Sequence, residues 1–262
     1  FLETIKKPVV TTFHSILPSP DEIRKKVVRC ICEKSSAVVV MAKKAIEILK
    51  EYYGVPEEKI YLIPHGIPNV PFSSNETFKK KLRLEGKKIL LTFGLLSRGK
   101  GIEYMIKALP KLVEKYPNIL YLIVGETHPV VREIEGESYR NEIMKLVEKL
   151  KLQKNVRFYN KYLTLQEIID YIRACDVYIC TNLEKGQIVS GTLAYAFGCG
   201  KAVVSTPITY AEELLSENRG ILVEFKNPES YAKAIHKILS NKNLKTELEK
   251  NAYAFGLSLI HI

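Results

Sequence analysis

The chain has 262 residues, enough for one or two domains. Hydrophobic residues make up 46% and charged residues 26% of it, so a sizeable core can form, and no apolar run approaches the length of a membrane span. The net charge of +11 suits an anionic ligand or an anionic membrane face, but no nucleic-acid motif or aromatic-interleaved basic patch goes with it.

Much of the positive excess is Lys spread over expected helix faces, among them Lys43, Lys44, Lys79 to Lys81, Lys145, Lys149 and Lys151. The five cysteines are scattered, and Cys30-Ile-Cys32 lacks the second pair that a zinc site needs. This usage predicts a reduced, cytoplasmic setting. Peripheral contact with the inner face of the membrane is left open by the basic surface. The chain begins at Phe1, and no signal-peptide pattern is visible.

In chain order, Lys7 to Phe13 is β-rich and ends at His14, and Pro18-Ser-Pro20 makes a loop. Asp21 starts a helix to about Lys34, Ala37 to Met41 is a short apolar strand, and a helix from Ala42 to Tyr53 stops at Gly54-Val-Pro56. Ile60 to Ile63 is a further strand, ended by Pro64-His65-Gly66. This alternation predicts parallel strands. Residues 67–86 are rich in Pro, Ser and Asn and then read as a short basic helix, which marks a domain boundary. The expected organisation is a first Rossmann-like unit over 1–72, a linker over 73–86, a second unit over 87–240, and a helix and tail over 241–262. Both ends read as truncated.

The second unit opens with a strand at Lys88 to Phe93. A helix follows whose Ile102, Met105, Ile106, Leu109, Leu112 and Val113 share a face at helical spacing. Further strands are expected at Ile119 to Val124, Val156 to Tyr159, Val177 to Cys180, Ala202 to Ser205 and Ile221 to Val223, with a helix near Glu137 to Leu150. Two more helices close the pattern, near Pro228 to Ser240 and Leu244 to Ala254, and Leu257 to Ile262 continue no pattern. About six strands separated mostly by helices predict a Rossmann-like sheet.

Two stretches could bind anions. In Gln187-Ile-Val-Ser-Gly-Thr-Leu-Ala-Tyr195, Ser190 is a good N-cap for a helix to about Cys199, so Ser190, Gly191 and Thr192 offer backbone N–H groups at a positive helix end. Gly191 there removes a side chain where a ligand would approach closely. The other is Gly94-Leu-Leu-Ser-Arg-Gly-Lys-Gly101, a phosphate-binding loop lacking only the final Ser or Thr that would hold magnesium. A dinucleotide fingerprint fails as well, since Tyr104 stands where its third glycine should be. Arg98 and Lys100 with one helix start, and Ser190 to Thr192 with the other, lie at the carboxyl edge of one sheet and can converge on a single diphosphate.

Single residues carry open alternatives. His14 at a strand end is either near the chemistry or structural, and His65 reads better as a turn residue. His128 either lines the cleft or serves its loop, and Tyr162 either stacks on a base or packs. Glu212 and Glu213 either touch the ligand or start a helix. No catalytic triad and no metal-ligand cluster is visible.

The order Thr-x-His14, Ile-Pro-His-Gly66, Gly-x-x-x-x-x-Lys-Gly101, Val-Gly125, Ala-Cys-Asp176-Val and Gly198-Cys-Gly-Lys-Ala-Val-Val-Ser205 resembles the retaining GT-B glycosyltransferases of family 4, the group 1 transferases. A subgroup with Gly-Leu-Leu-Ser, Gly-x-Thr-His-Pro and Gln-x-x-Ser-Gly-Thr-Leu-Ala-Tyr is more similar still. The resemblance covers nearly the whole chain. It implies an α/β fold of two Rossmann-like domains facing a cleft, the N-terminal one incomplete here.

It also implies a nucleotide-sugar as co-substrate, no cofactor and no metal, and a hydroxyl acceptor that is a sugar, glycan or lipid. By the resemblance His14 stands near the transferring sugar and Lys100 holds the donor diphosphate. The family's arginine position in that loop is Leu95, so Arg98 would substitute. Ser97, Gly125, His128, Tyr162, Ser190, Gly191, Thr192, Tyr195 and Glu213 would meet the substrates. The family's Glu-x7-Glu motif has become Gln187 and Tyr195. Gln187 can hydrogen-bond a sugar hydroxyl but cannot be a carboxylate nucleophile, and Tyr195 replaces a ribose contact. The rival expectations are a P-loop-like nucleotide hydrolase, against which Gly101 argues, and an inactive transferase-like nucleotide-binding scaffold.

Overall fold

The computed structural model describes residues 4–258. A small parallel sheet comes first, with strands β1 (Val10–Thr12), β2 (Ala37–Val40) and β3 (Ile60–Leu62) in that spatial order. Helices α1 (Glu22–Lys34) and α2 (Lys43–Tyr53) link them. Asp21 starts α1 as its N-cap, its side chain accepting from Arg24 N, and Gly54 ends α2 in the left-handed conformation at φ +66°.

The larger sheet contains β4 (Lys88–Phe93), β5 (Ile119–Val124), β6 (Val156–Tyr159), β7 (Val177–Cys180), β8 (Val203–Ser205) and β9 (Ile221–Leu222). Their order is β6-β5-β4-β7-β8-β9, and every pairing is parallel. A parallel strand is covered on both faces, which is why β5 reads as an unbroken apolar run and is buried at every residue. Its pleat sends Ile119, Tyr121 and Ile123 into one core layer and Leu120, Leu122 and Val124 into the other. Burying each such side chain is worth about 1.5–3 kcal/mol. The expected face of α4 (Ile102–Lys115) is inward, with Val113 only partly buried.

The segment expected as a linker holds α3 (Glu76–Lys81), which is fastened to the large sheet. Buried Lys79 pairs with Asp176 at 3.0 Å, and Lys81 reaches Asp170 at 2.5 Å on α7 (Leu165–Ala174). Asp176 in turn accepts from Ile89 N and Asn75 Nδ2, both at 2.7 Å. The remaining helices are α5 (Pro129–Glu135), α6 (Ser138–Lys149), α8 (Gly191–Gly198), α9 (Thr209–Leu214), α10 (Pro228–Ser240) and α11 (Lys242–Ser258). Helix α11 extends through Ser258, further than its sequence pattern, and residues 259–262 of the expected tail lie outside the described part.

The two sheets touch. Glu213 on α9 accepts from Lys43 N with both oxygens, at 3.2 and 3.0 Å. It thereby caps α2, whose own N-cap residue Ala42 has no side chain able to do so. Tyr253 donates to the Val70 carbonyl at 2.9 Å.

Candidate functional site

The chain runs from β4 outward to β5 and β6 on one side of the large sheet, and β7, β8 and β9 lie on the other. Strand order therefore reverses between β4 and β7. In open α/β sheets such a switch point opens a crevice outside the carboxyl ends of the strands. Its walls here are the loops after β4, β5 and β7.

The loops after β4 and β5 are joined closely. Leu96 N donates to the Glu126 carbonyl at 2.8 Å and His128 N to the Leu96 carbonyl at 2.9 Å. Gly125 has φ +134°, and a Cβ there would stand 2.2 Å from the Gly94 carbonyl oxygen. Gly101 has φ +58°, and a Cβ there would meet the Thr181 carbonyl at 2.7 Å. Glycine is therefore required at both positions. At Gly101 there is no room for the magnesium-binding hydroxyl of a P-loop, which removes the physical basis of the hydrolase alternative.

Lys100 is half-buried, and its ammonium has no hydrogen-bond or ion-pair partner among the described residues. Burial pushes its pKa below the ordinary lysine value, and Cys180 nearby opposes this in part. Its carbonyl accepts from Thr181 Oγ1, and the Gly99 carbonyl accepts from Leu183 N at 2.9 Å, so the lysine loop rests on the loop after β7. Ser97 opens the 3-10 turn that carries Lys100 and accepts from Lys100 N at 2.9 Å.

Arg98 departs from the expectation that it reaches a diphosphate. Both terminal nitrogens bond Glu142 at 2.7 Å, Nε bonds Glu135 at 3.0 Å, and the guanidinium lies 5.8 Å from the Tyr139 ring centroid. These hydrogen bonds raise its pKa above the usual arginine value. Its side chain is committed to α5 and α6, because three acceptors there match its donors.

Across the crevice, Ser190 caps α8 as expected, accepting from Leu193 N at 3.4 Å and sharing a 3.2 Å hydroxyl contact with Thr192. Thr192 packs on the β4 loop, where a Cβ on Gly94 would meet its methyl at 3.3 Å. The first N–H groups of α8 point outward with the positive end of the helix dipole. The Gly191 expectation changes: a Cβ there would meet His65 Nε2 at 2.8 Å, so the glycine makes room for an imidazole of the small sheet.

Gln187 is half-buried, and both its amide oxygen and nitrogen have a partner. Oε1 accepts from Asn182 Nδ2 and Nε2 donates to the Val189 carbonyl, both at 2.8 Å. It braces the loop that delivers Ser190 to the helix start. Tyr195 lies between two rings, 6.0 Å from His65 and 6.5 Å from Phe93. Glu213 caps α2, and α9 begins at Thr209, ahead of both Glu212 and Glu213.

Beside the β4 and β5 loops lies a largely apolar slot lined by Phe93, Gly94, Leu95, Val124, Gly125 and Tyr162, with about 440 Å³ of open space. Tyr162 is 83% exposed, so it is not packing in a core. His128 caps the first turn of α5 through its backbone, and its Nδ1 is buried without a hydrogen-bond partner. His14 is exposed in the loop after β1. The same loop carries Ser15, Leu17 and Pro18, which face Gly186 and Gln187 across a groove between the two sheets.

The structure thus gathers Ser97, Lys100, Gly125, Ser190, Thr192, Tyr195 and Tyr162 on one edge, with His14 near the adjoining groove and Arg98 and Glu213 directed elsewhere. His65 and Phe93 were not anticipated at the crevice. The Ile-Pro-His-Gly66 stretch marked the turn, and only the packing of the two sheets shows that it crosses to α8. Among the described residues no group of three or more His, Cys, Asp or Glu side chains could hold a metal ion, and no helix is long and apolar enough to cross a membrane.

Residues 73–255 match the family described as Glycosyl transferases group 1, and residues 2–69 match Glycosyltransferase Family 4. The chain belongs to the group 1 glycosyl transferases. It is 28% identical over 232 residues to an uncharacterized glycosyltransferase of Methanocaldococcus jannaschii, covering 87% of this chain and 55% of that one. It is 25% identical over 181 residues to spore coat protein SA of Bacillus subtilis, covering 68% and 46%. The chain spans about half the length of these curated relatives.

Among solved structures, sucrose-phosphate synthase from Thermosynechococcus elongatus superposes with a TM-score of 0.80 at 22% identity, covering 98% of this chain and 65% of that one. Anabaena HepE in complex with UDP superposes with a TM-score of 0.78 at 21% identity, covering 96% and 68%. The fold is that of the GT-B glycosyltransferases.

Proposed function

We propose that this chain carries the donor side of a retaining glycosyltransferase, which moves a sugar from a nucleoside-diphosphate sugar to a hydroxyl acceptor without a metal. The observation that carries this reading is Lys100, a half-buried cation with no partner, on the edge that also presents the start of α8. An unpaired buried cation is costly unless an anion arrives. A diphosphate satisfies it, and the α8 N–H groups supply the remaining donors. The apolar slot suits a nucleobase, with Tyr162 as a stacking face.

In the proposed reaction the bond from the anomeric carbon to the diphosphate oxygen breaks, and its electron pair stays on the leaving group. The acceptor oxygen bonds to the anomeric carbon from the same face, and its proton passes to the departing phosphate. Gln187 has no carboxylate to act as nucleophile, and its amide is held by Asn182 and Val189. The catalytic task left to the protein is to stabilise the leaving charge, which falls to Lys100 and the helix dipole. His14, at the groove, would face the transferring sugar.

The structural neighbour HepE was solved with UDP, which makes uracil the first base to try. A lipid acceptor, with peripheral contact at the inner membrane face, belongs to the same proposal. Calorimetry against UDP, GDP, ADP and ATP, with and without magnesium, tests the reading. Metal-independent binding of one diphosphate, lost in Lys100→Ala, is the expected result. Binding of ATP only with magnesium overturns it, and nucleotide binding without sugar transfer in any intact-length form favours the inactive scaffold.

A further inference from the structure

We infer that His65 reads the ribose of the bound nucleotide, its Nε2 accepting a hydrogen bond from a ribose hydroxyl. This rests on the donor-binding reading above. His65 Nδ1 lies 2.7 Å from the Gly66 carbonyl oxygen. A carbonyl only accepts, so Nδ1 carries the hydrogen and Nε2 of the neutral ring is left with a free lone pair. That lone pair has no hydrogen-bond partner among the described residues. It lies against the first turn of α8, where a Cβ on Gly191 would stand 2.8 Å from Nε2.

The position of the ring decides which part of a nucleotide it meets. Tyr195 contacts His65 on one side and Phe93 on the other, and Phe93 also lines the apolar slot. His65 therefore stands at the start of α8, with Tyr195 between it and Phe93 at the slot. A nucleoside diphosphate with its base in the slot and its phosphates at α8 and Lys100 must lay its ribose across that interval, because the ribose joins the two. Ribose presents vicinal hydroxyl donors there. The Tyr195 ring packs between two others, and the imidazole lone pair beside it has no partner among the described residues. His65 is contributed by the small sheet, so ribose recognition also fastens the two units across the bound nucleotide.

The test is calorimetry of UDP, GDP and ADP, each beside its 2′-deoxy and 3′-deoxy forms, on wild type, Lys100→Ala, His65→Phe and His65→Gln. Wild type is expected to prefer the ribonucleotide by about tenfold over at least one deoxy form, the worth of one hydrogen bond. His65→Phe, which keeps the ring contact with Tyr195, should bind the ribonucleotide about tenfold more weakly and the deoxy form unchanged. His65→Gln restores an acceptor and should recover the preference. If His65→Phe weakens both forms by one factor, or leaves the preference intact, the inference is overturned while Lys100-dependent binding still upholds the donor reading. Wild type that binds none of the three diphosphates, or binds them as well without Lys100, overturns the donor reading and this inference with it.

Discussion

Between residues 94 and 101 two cations leave the chain, Arg98 to carboxylates on α5 and α6 and Lys100 to no partner. Between residues 181 and 190 Asn182 and Gln187 bond one another, and Ser190 turns its hydroxyl to its own helix. Both stretches precede a helix and both read as anion sites in the sequence. The first brings an unpaired cation to the crevice, and the second, whose Glu184 and Lys185 line the adjoining groove, brings aligned backbone dipoles. A single diphosphate needs both, because an unpaired ammonium supplies attraction but little geometry, and N–H groups supply geometry with weaker attraction.

The sharpest way to break this pairing of loops is at Gly125. An alanine there adopts an unfavourable φ of +134° and drives a methyl toward the Gly94 carbonyl oxygen, 2.2 Å away before relaxation. Strain and overpacking together should cost on the order of 3 kcal/mol or more. Urea denaturation should show an earlier midpoint, and nucleotide binding should disappear with it. A midpoint unchanged from wild type would mean that the loops after β4 and β5 are not in contact.

Lys100→Met comes next. Removing the cation should weaken diphosphate binding by about 30–100-fold, the worth of about 2–3 kcal/mol for a charged hydrogen bond. Stability should not fall, since a methionine avoids burying an unpaired charge. The pH dependence has a definite sign. The folded-state pKa of Lys100 lies below the unfolded value of 10.5, so the unfolded chain holds more protons between the two. Stability therefore rises with pH across that window, and Lys100→Met should flatten the rise. Diphosphate affinity should move the other way, falling as pH rises past the lowered value and the ammonium is lost. Chemical denaturation and calorimetry across alkaline pH check the two slopes.

These two variants separate what sequence could and could not disclose. Period and punctuation placed all six strands of the large sheet, since buried parallel strands are plain apolar runs and Gly or Pro bounds them. They also placed Ser190 as a cap and Lys100 in the loop. Helix α7 carries a start signal that periodicity misses, since Thr164 and Glu167 form a capping box. The direction of Arg98 was not legible, because Glu135 and Glu142 meet it only after α5 and α6 fold back across 37 and 44 residues. His65 and Glu213 were opaque for the same reason, since each has its partner on the other sheet. Local rules describe a residue's own segment, and these contacts join segments.

The loop before α8 is tested by Gln187→Met. The substitution keeps the volume but leaves Asn182, 6% exposed, without its acceptor, and the Val189 carbonyl without its donor. Orphaned buried groups of this kind cost about 1–2 kcal/mol. Gln187→Glu restores an acceptor for Asn182 but sets a carboxylate against the Val189 carbonyl, so it should also lower the denaturation midpoint. It should not raise any transfer rate, because the position serves the loop. A faster Gln187→Glu enzyme would show that position 187 reaches the sugar.

The smallest effect is expected at Arg98, although its sequence position next to Lys100 suggests the opposite. Its partners are acidic and its side chain is 51% exposed, so water and salt screen the pair and its loss is weakly felt. Arg98→Ala should leave the denaturation midpoint close to wild type and diphosphate affinity unchanged. Measured beside Lys100→Met in one titration series, it isolates direction from charge, since both variants remove one cation from the same turn. Raising the salt concentration should weaken nucleotide binding in wild type and Arg98→Ala alike. If Arg98→Ala instead lost affinity as Lys100→Met does, the arginine would have to leave Glu135 and Glu142 when a nucleotide arrives, and Glu142→Gln, by loosening it beforehand, would bind nucleotide more tightly than wild type.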